Sequence, residues 1–357
     1  MSFFKIDPAI SSLVRGFQFP ATLGFGKVFA PIMIRGDYKN GSWGDLKIIP
    51  YGPIELSPTA KVLHYGQEIF EGLKAYRVDG EGPFLFRHRE NAKRFNHSSR
   101  TMAMPEVPEE YFMKAVETIT SLCRDLIPSH SGESLYLRPF CIATEEHLGV
   151  KPAEEFCFCV IASPSGSYFS GNKVSVMIER QKVRAFPGGT GSAKTGGNYA
   201  KSLTASIKAS RLGFDQVLWL DALEHRYIEE MSGMNFFAVI DGCLYTPKLT
   251  DTILAGVTRD SIIQVAKNKG MKVFEERMDI DLFLTKIKNA EATEAFACGT
   301  AAIITPIGYL AEEQGERYVL PEESVSAMLR AELLGIQEGR LENFNGWRYL
   351  VENINFD

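Results

Sequence analysis

The chain has 357 residues, with 39 Lys or Arg against 44 Asp or Glu, a net charge of −5. That length accommodates two domains and a substantial core. The charge, spread along the chain with no basic stripe, disfavours nucleic-acid binding.

No apolar run approaches the roughly 20 residues that cross a bilayer. Met1–Ser12 has neither an apolar h-region nor an Arg-rich amphipathic pattern, so a cytoplasmic protein is expected. Six cysteines in a chain this long form no disulfide framework, and the six histidines have no metal-ligand spacing. Buried reduced thiols and no metal site are therefore expected.

In chain order, residues 75–78 and 84–87 read as strands joined through Asp79-Gly80, a hairpin signal. Helices follow at 90–102 and 108–126. In the second, Phe112, Val116, Ile119, Leu122 and Cys123 recur at three- and four-residue intervals. Strands are expected at 134–143 and 156–162, the latter placing Cys157 and Cys159 on one face. The Ser-, Gly- and Pro-rich run that begins at Ser163 cannot hold a regular element. It sets the expected division: a domain over 1–163, a linker over 164–172 and a second domain over 173–357.

The second half opens with a strand at 173–180. A helix from about Tyr199 to Leu212 is expected to turn Leu203, Ile207 and Ser210 inward. Strands at 216–220 and 227–229 precede a hairpin, 236–240 with 243–246, through Asp241-Gly242. A helix over 258–269 carries Ile262, Val265 and Ala266 inward and stops at Gly270. The whole reads as mixed α and β in two domains.

Four segments carry chemistry. Lys194 lies in Gly-Gly-Thr-Gly-Ser-Ala-Lys-Thr-Gly-Gly-Asn-Tyr (188–199), where glycines let a flat ligand approach a lysine closely. The same run resembles a phosphate-binding loop, with Ala193 where that loop needs glycine. Pro187 before it and Gly196-Gly197 after it argue against a nucleotide hydrolase. Gly256-Val-Thr-Arg-Asp260 opens a helix and suits either a phosphate or simple capping by Thr258. Gly299-Thr-Ala301 ends an apolar strand and offers backbone donors to an anion. In Tyr227-Ile-Glu-Glu-Met231, alternation sends one of Glu229 and Glu230 inward, where a carboxylate needs a cation or a proton. A lysine, a phosphate cradle and a buried carboxylate together suggest pyridoxal 5′-phosphate, whose ring a protonated nitrogen turns into an electron sink.

From about Phe17 to its end the chain resembles the branched-chain amino acid aminotransferases of the fold-type IV pyridoxal phosphate class. The markers are His64-Tyr-Gly66, Ile69-Phe-Glu-Gly72, Phe86-Arg-His-Arg-Glu90, Tyr136-Leu-Arg-Pro139, Lys194-Thr-Gly-Gly-Asn-Tyr199, Glu230, Asn235-Phe236, Gly256-Val-Thr-Arg259 and Gly299-Thr-Ala301. The resemblance implies an α/β (α+β mixed) fold, a smaller N-terminal α/β domain and a larger C-terminal pseudo-barrel domain. It implies transamination between Leu, Ile or Val and 2-oxoglutarate by a homodimer. Lys194 would carry the cofactor and move the proton at the substrate Cα. Glu230 would pair with the pyridine nitrogen and Tyr199 with the ring 3′-oxygen. Arg94, the backbone of Val257 and Thr258, and the Thr300 hydroxyl would hold the phosphate.

Tyr65, Phe70, Tyr136, Arg138 and Tyr168 would line the substrate pocket, with the α-carboxylate on Thr300–Ala301. Animal members carry a redox Cys-x-x-Cys where this chain has Ala302 and Thr305, so thiol regulation of that kind is not expected. A D-amino acid aminotransferase or an aminodeoxychorismate lyase would share the class and the lysine.

Overall fold

A computed structural model describes residues 8–20, 22–166 and 173–354. The chain divides into two compact units, Met1–Tyr168 with Gly335–Asp357, and Phe169–Leu334.

The first unit contains helices α1 (Pro8–Arg15), α2 (Val62–Tyr65), α3 (His88–Thr101) and α4 (Glu109–Leu122). Its strands are β1 (Ile32–Lys39), β2 (Ser42–Trp43), β3 (Lys47–Pro50), β4 (Glu68–Phe70), β5 (Leu73–Val78), β6 (Glu81–Phe86), β7 (Ser134–Ala143) and β8 (Phe156–Ser165). Together with the strand Arg348–Leu350 they form one antiparallel sheet, ordered from that last strand through β6, β5, β7, β8 and β1 to β2. β3 also pairs with β1, and β4 with β7. The expected hairpin joins β5 to β6, and Asp79 and Gly80 both have positive φ (53° and 82°), the backbone that a tight I′ turn demands.

Helix α4 covers one face of this sheet. Its Phe112, Val116, Ile119 and Leu122 are fully buried, and Phe112 packs on Phe95 of α3 and Phe158 of β8. Strand alternation therefore turns the intervening Cys157 and Cys159 to the opposite face. Their sulfurs lie 3.5 Å apart as buried free thiols, as expected. Register adds Phe140, Arg138, Tyr136 and Phe70 to that face.

The second unit contains β9 (Val174–Glu179), α5 (Gly196–Arg211), β10 (Gln216–Leu220), β11 (Tyr227–Met231), β12 (Met234–Ile240), β13 (Cys243–Pro247) and α6 (Val257–Asn268). β14 (Val273–Glu276), β15 (Met278–Asp279), α7 (Ile280–Lys288), β16 (Ala292–Gly299), β17 (Ile303–Ala311), β18 (Arg317–Val319) and α8 (Ser324–Glu338) complete it, the last helix running past the unit boundary. The sequence β12–β16–β17–β9–β10–β11 closes because β11 also pairs with β12, making a barrel. Phe236, Ala238, Leu218, Leu220, Val176 and Ile307 fill its core.

Four expectations are corrected. β8 extends through Ser165, with Pro164 opposite Leu135. Local composition disfavours a strand there, but pairing along the whole of β7 overrides it. The remainder of the expected linker, apart from Gly166, lies outside the described residues. Helix α5 begins at Gly196, so both glycines occupy its first turn rather than breaking it. Its buried side chains are Asn198, Ser202, Ala205 and Ala209, whereas Leu203 and Ile207 are exposed. Small residues let α5 lie close on Met177, Val217 and Trp219. Finally, the chain end belongs with the first unit, because Arg348–Leu350 pairs with β6. Among the described residues no helix is long and apolar enough to cross a membrane.

Candidate active site

Lys194 sits at the end of a loop held rigid from within. Asn198, in the first turn of α5, donates from Nδ2 to the carbonyls of Thr190 and Ala193, both at 2.8 Å. Gly191 is required: a Cβ there would come within 2.6 Å of Thr252 Cα. Because α5 starts just two residues later, Tyr199 swings back over the lysine. Lys194 Nζ donates to Tyr199 Oη at 2.6 Å.

Glu230 is buried on β11, where its Oε2 accepts from the Leu254 amide at 3.1 Å. Arg184, also buried, brings Nε to 2.9 Å from Glu230 Oε1, although the N–H does not point at that oxygen. Its Nη2 donates to Gly191 O at 3.0 Å and to Thr252 O. One guanidinium thus ties the lysine loop, the acid and the segment before α6. A small cavity is lined by Arg184, Ala193, Asn198, Tyr199, Glu230 and Leu254, which brings the predicted acid and tyrosine to one space.

Alternation fails at Glu229. Leu218 pairs with Met231 and Leu220 with Ile228, so β11 carries one residue more than β10 across this stretch. Such a bulge breaks the two-residue period, and Glu229 is buried as well as Glu230. Glu229 Oε1 accepts from the Thr252 hydroxyl, and Oε2 has no hydrogen-bond partner. Burial pushes its carboxyl up to about 7, against the pull of Thr252 and Arg184.

Helix α6 has Gly256 as its N-cap, so Thr258 lies inside the first turn and is not the cap. No side chain caps the helix, leaving its first amides to an anion. Asn235 anchors the segment through Leu254 O at 2.9 Å, and a Cβ on Gly256 would meet Asn235 Oδ1 at 2.1 Å. Asn235 in turn pairs with Cys298 on β16. That places the turn Thr300–Ala301, between β16 and β17, beside the β11–β12 turn: Gly299 adjoins Gly233 O, and Gly233 adjoins the Tyr199 ring. Ile303 closes this turn at φ 65°, a strained angle for a β-branched residue. Cys298 is deeply buried, and burial pushes its thiol well above the ordinary range.

In the first unit, Phe70, Tyr136 and Arg138 form one cluster. The Arg138 guanidinium lies 4.7 Å from the Phe70 ring centre, and Nη2 donates to Tyr136 Oη at 3.1 Å. Gly72 leaves room for that tyrosine, whose Oη would sit 2.0 Å from an added Cβ. Arg138 Nε is buried with no hydrogen-bond partner. Tyr65 donates instead to Leu148 O. Arg94 on α3 is paired with Glu71. Tyr168 lies outside the described residues. Glu71, Arg184 and Glu229 had no sequence signal of their own. They are charged residues at element ends, which read as solvated until their burial is seen.

A family model described as amino-transferase class IV matches residues 68–309. A branched-chain-amino-acid aminotransferase of Mycolicibacterium smegmatis is 47% identical over 337 residues, covering 92% of each chain. A solved branched-chain amino acid aminotransferase from Escherichia coli superposes with a TM-score of 0.74 at 29% identity, covering 89% of this chain and 99% of that one. A thermophilic-type relative abbreviated T.th., solved as a branched-chain amino acid aminotransferase with pyridoxamine 5′-phosphate, gives 0.73 at 30% identity, with coverage of 89% and 98%.

Proposed function

Since the chain belongs to amino-transferase class IV, we propose that Lys194 bears its cofactor and moves the proton at the substrate Cα. The reaction is transamination between branched-chain L-amino acids (Leu, Ile, Val) and 2-oxoglutarate, giving branched-chain 2-oxo acids and glutamate. Pyridoxal 5′-phosphate is the cofactor, and its ring, when bound, draws electrons from the Cα bond that must break. The D-amino acid, lyase and nucleotide-hydrolase readings are set aside by the near-full-length identity to branched-chain relatives.

The residues present suit that cofactor. The observation that carries the reading is the amine of Lys194 on Tyr199 Oη, with Glu230 and Tyr199 lining one cavity. Glu230, with Arg184 beside it, is suited to the pyridine nitrogen, and Tyr199 to the 3′-oxygen. The uncapped α6 amides of Val257 and Thr258, the Thr300 hydroxyl and Arg94 are assigned to the phosphate. As the proton leaves Cα, Lys194 holds it, and the fixed loop keeps Nζ in place.

The substrate pocket has to take two kinds of side chain. Phe70 offers an apolar wall to leucine or valine. Arg138, with its buried and unsatisfied Nε, offers donors to the second carboxylate of 2-oxoglutarate. Tyr136 orients Arg138, Tyr65 and Tyr168 extend the aromatic wall, and Thr300–Ala301 takes the α-carboxylate. An amino-donor panel with 2-oxoglutarate tests this assignment. Leucine, isoleucine and valine are expected to turn over within about tenfold of one another, since one methylene in an apolar pocket is worth about 1–3 kcal/mol. No glutamate from leucine or isoleucine would overturn it.

We also assign the chain to a cytoplasmic homodimer without nucleic-acid partners. Leu203 and Ile207 of α5 are 58% and 53% exposed on one helix face, apolar surface suited to a second copy. Light scattering at micromolar concentration is expected to return twice the chain's 39.8 kDa; a monomer mass would reject the dimer.

A further inference from the structure

Arg94 is held by a partner that the class reading does not mention. Glu71 is completely buried, in the short segment between β4 and β5. Its carboxylate grips one edge of the Arg94 fork: Arg94 Nε donates to Oε1 at 2.7 Å and Nη2 to Oε2 at 2.9 Å. Two further donors fix the carboxylate itself, Asn91 Nδ2 at 2.8 Å and the Gly72 amide at 3.0 Å, both on Oε2. The Glu71 backbone is pinned as well, its N–H donating to Pro139 O at 2.8 Å on β7.

Stability alone gives a weak reason for this arrangement. Desolvating two charges roughly cancels their attraction, and a well-packed apolar pair is often as stable. What the arrangement achieves is a guanidinium with one orientation: a side-on bidentate grip fixes the plane of the fork and leaves its rotation to no one else. Glu71 also neutralises the charge it positions, so the clamp acts through directed donors more than through a net positive field.

Resting on the assignment of Arg94 to the phosphate, we propose that Glu71 is a positioning residue of the phosphate clamp, and that through Arg94 it sets the preference for a phosphorylated over an unphosphorylated cofactor. Phe70 next to it turns to the opposite side, under Arg138. One three-residue segment, Phe70-Glu-Gly72, therefore orders both arginines.

The test compares binding of pyridoxal 5′-phosphate and pyridoxal to the apoprotein, with the rise in melting temperature on adding inorganic phosphate as a readout independent of turnover. Glu71→Gln keeps the volume and loses the charged grip. It is expected to weaken pyridoxal 5′-phosphate about 10- to 100-fold, the scale of a charge-assisted bidentate contact, to leave pyridoxal within about twofold, and to blunt the phosphate response. Asn91→Ala keeps both charges and loosens only the carboxylate. It is expected to lower the same preference about two- to fivefold, the scale of one neutral hydrogen bond, and it stands in should Glu71→Gln fail to fold. Equal weakening of both cofactors by the folded variants, or no weakening, would overturn the role of Glu71. Arg94→Gln separates the two layers: if it leaves the preference unchanged, the phosphate assignment itself fails, whereas if it lowers the preference and the Glu71 and Asn91 variants do not, only the present inference fails.

Discussion

Replacing Lys194 by alanine is expected to cut leucine:2-oxoglutarate transamination by at least about 10²–10⁴-fold, the range that one positioned acid–base group contributes. The fold should survive. Asn198 and Arg184 hold the loop through the carbonyls of Thr190, Ala193 and Gly191, and none of these contacts involves the lysine side chain. The urea midpoint is therefore expected to move little. Lys194→Arg should be equally inactive, because a guanidinium keeps its proton under all working conditions and cannot take another. A small amine added to the alanine variant should recover part of the rate, while arginine at 194 leaves it no space. More than about a tenth of native turnover in Lys194→Ala would remove the lysine from the mechanism, since it falls short of the smallest such contribution.

How much of this was legible in the sequence depends on the range of the interaction that decides each feature. Asp79-Gly80 and Asp241-Gly242 were readable because a two-residue turn is set by its own backbone, and each pair adopts positive φ at both positions. Helix α4 was readable because its apolar period faces one continuous core. The inner face of α5 was not. Apolar period picks out Leu203 and Ile207, yet the helix buries Ala205 and Ala209 because close approach to Val217 and Trp219 admits only small side chains. The strand at Ser163–Ser165 was hidden likewise, because its pairing partner β7 lies far away along the chain.

The same division holds in the candidate site. Lys194, Tyr199 and Asn198 announce themselves in a single short run, and the loop they close is local. Arg184, Glu71 and Glu229 do not. Arg184 matters because it joins Gly191, Thr252 and Glu230, and nothing in the sequence places those three together. Glu71 was quoted as part of a motif, but its function depends on facing Arg94 from a neighbouring element. Charged residues reveal such roles only through burial, which the three-dimensional structure supplies.

Glu229→Gln is expected to stabilise the apoprotein, and to do so more at pH 8 than at pH 5. In the folded chain the Glu229 carboxyl is pushed by burial from 4.5 up to about 7, with Glu230 and Asp221 adding to the shift and Thr252 and Arg184 opposing it. Below pH 4.5 both folded and unfolded states hold the proton and the residue costs nothing. As pH rises through the window from 4.5 to about 7, the unfolded chain releases its proton first, so folding stability falls; above that window the loss is complete and constant. At about 1.36 kcal/mol per pH unit the ceiling is about 3 kcal/mol, and relaxation around the ionised group brings the expected loss to about 2 kcal/mol. Glutamine keeps an oxygen for the Thr252 hydroxyl and cannot ionise, so it escapes this loss. Urea unfolding of both proteins at the two pH values measures the difference of differences, which should be positive and near that size. A gain equal at pH 5 and pH 8 would show that Glu229 ionises normally in the folded chain. The buried carboxylates of β11 would then both carry charge against the single guanidinium of Arg184, and Glu230 would face the pyridine nitrogen with only part of that counter-charge.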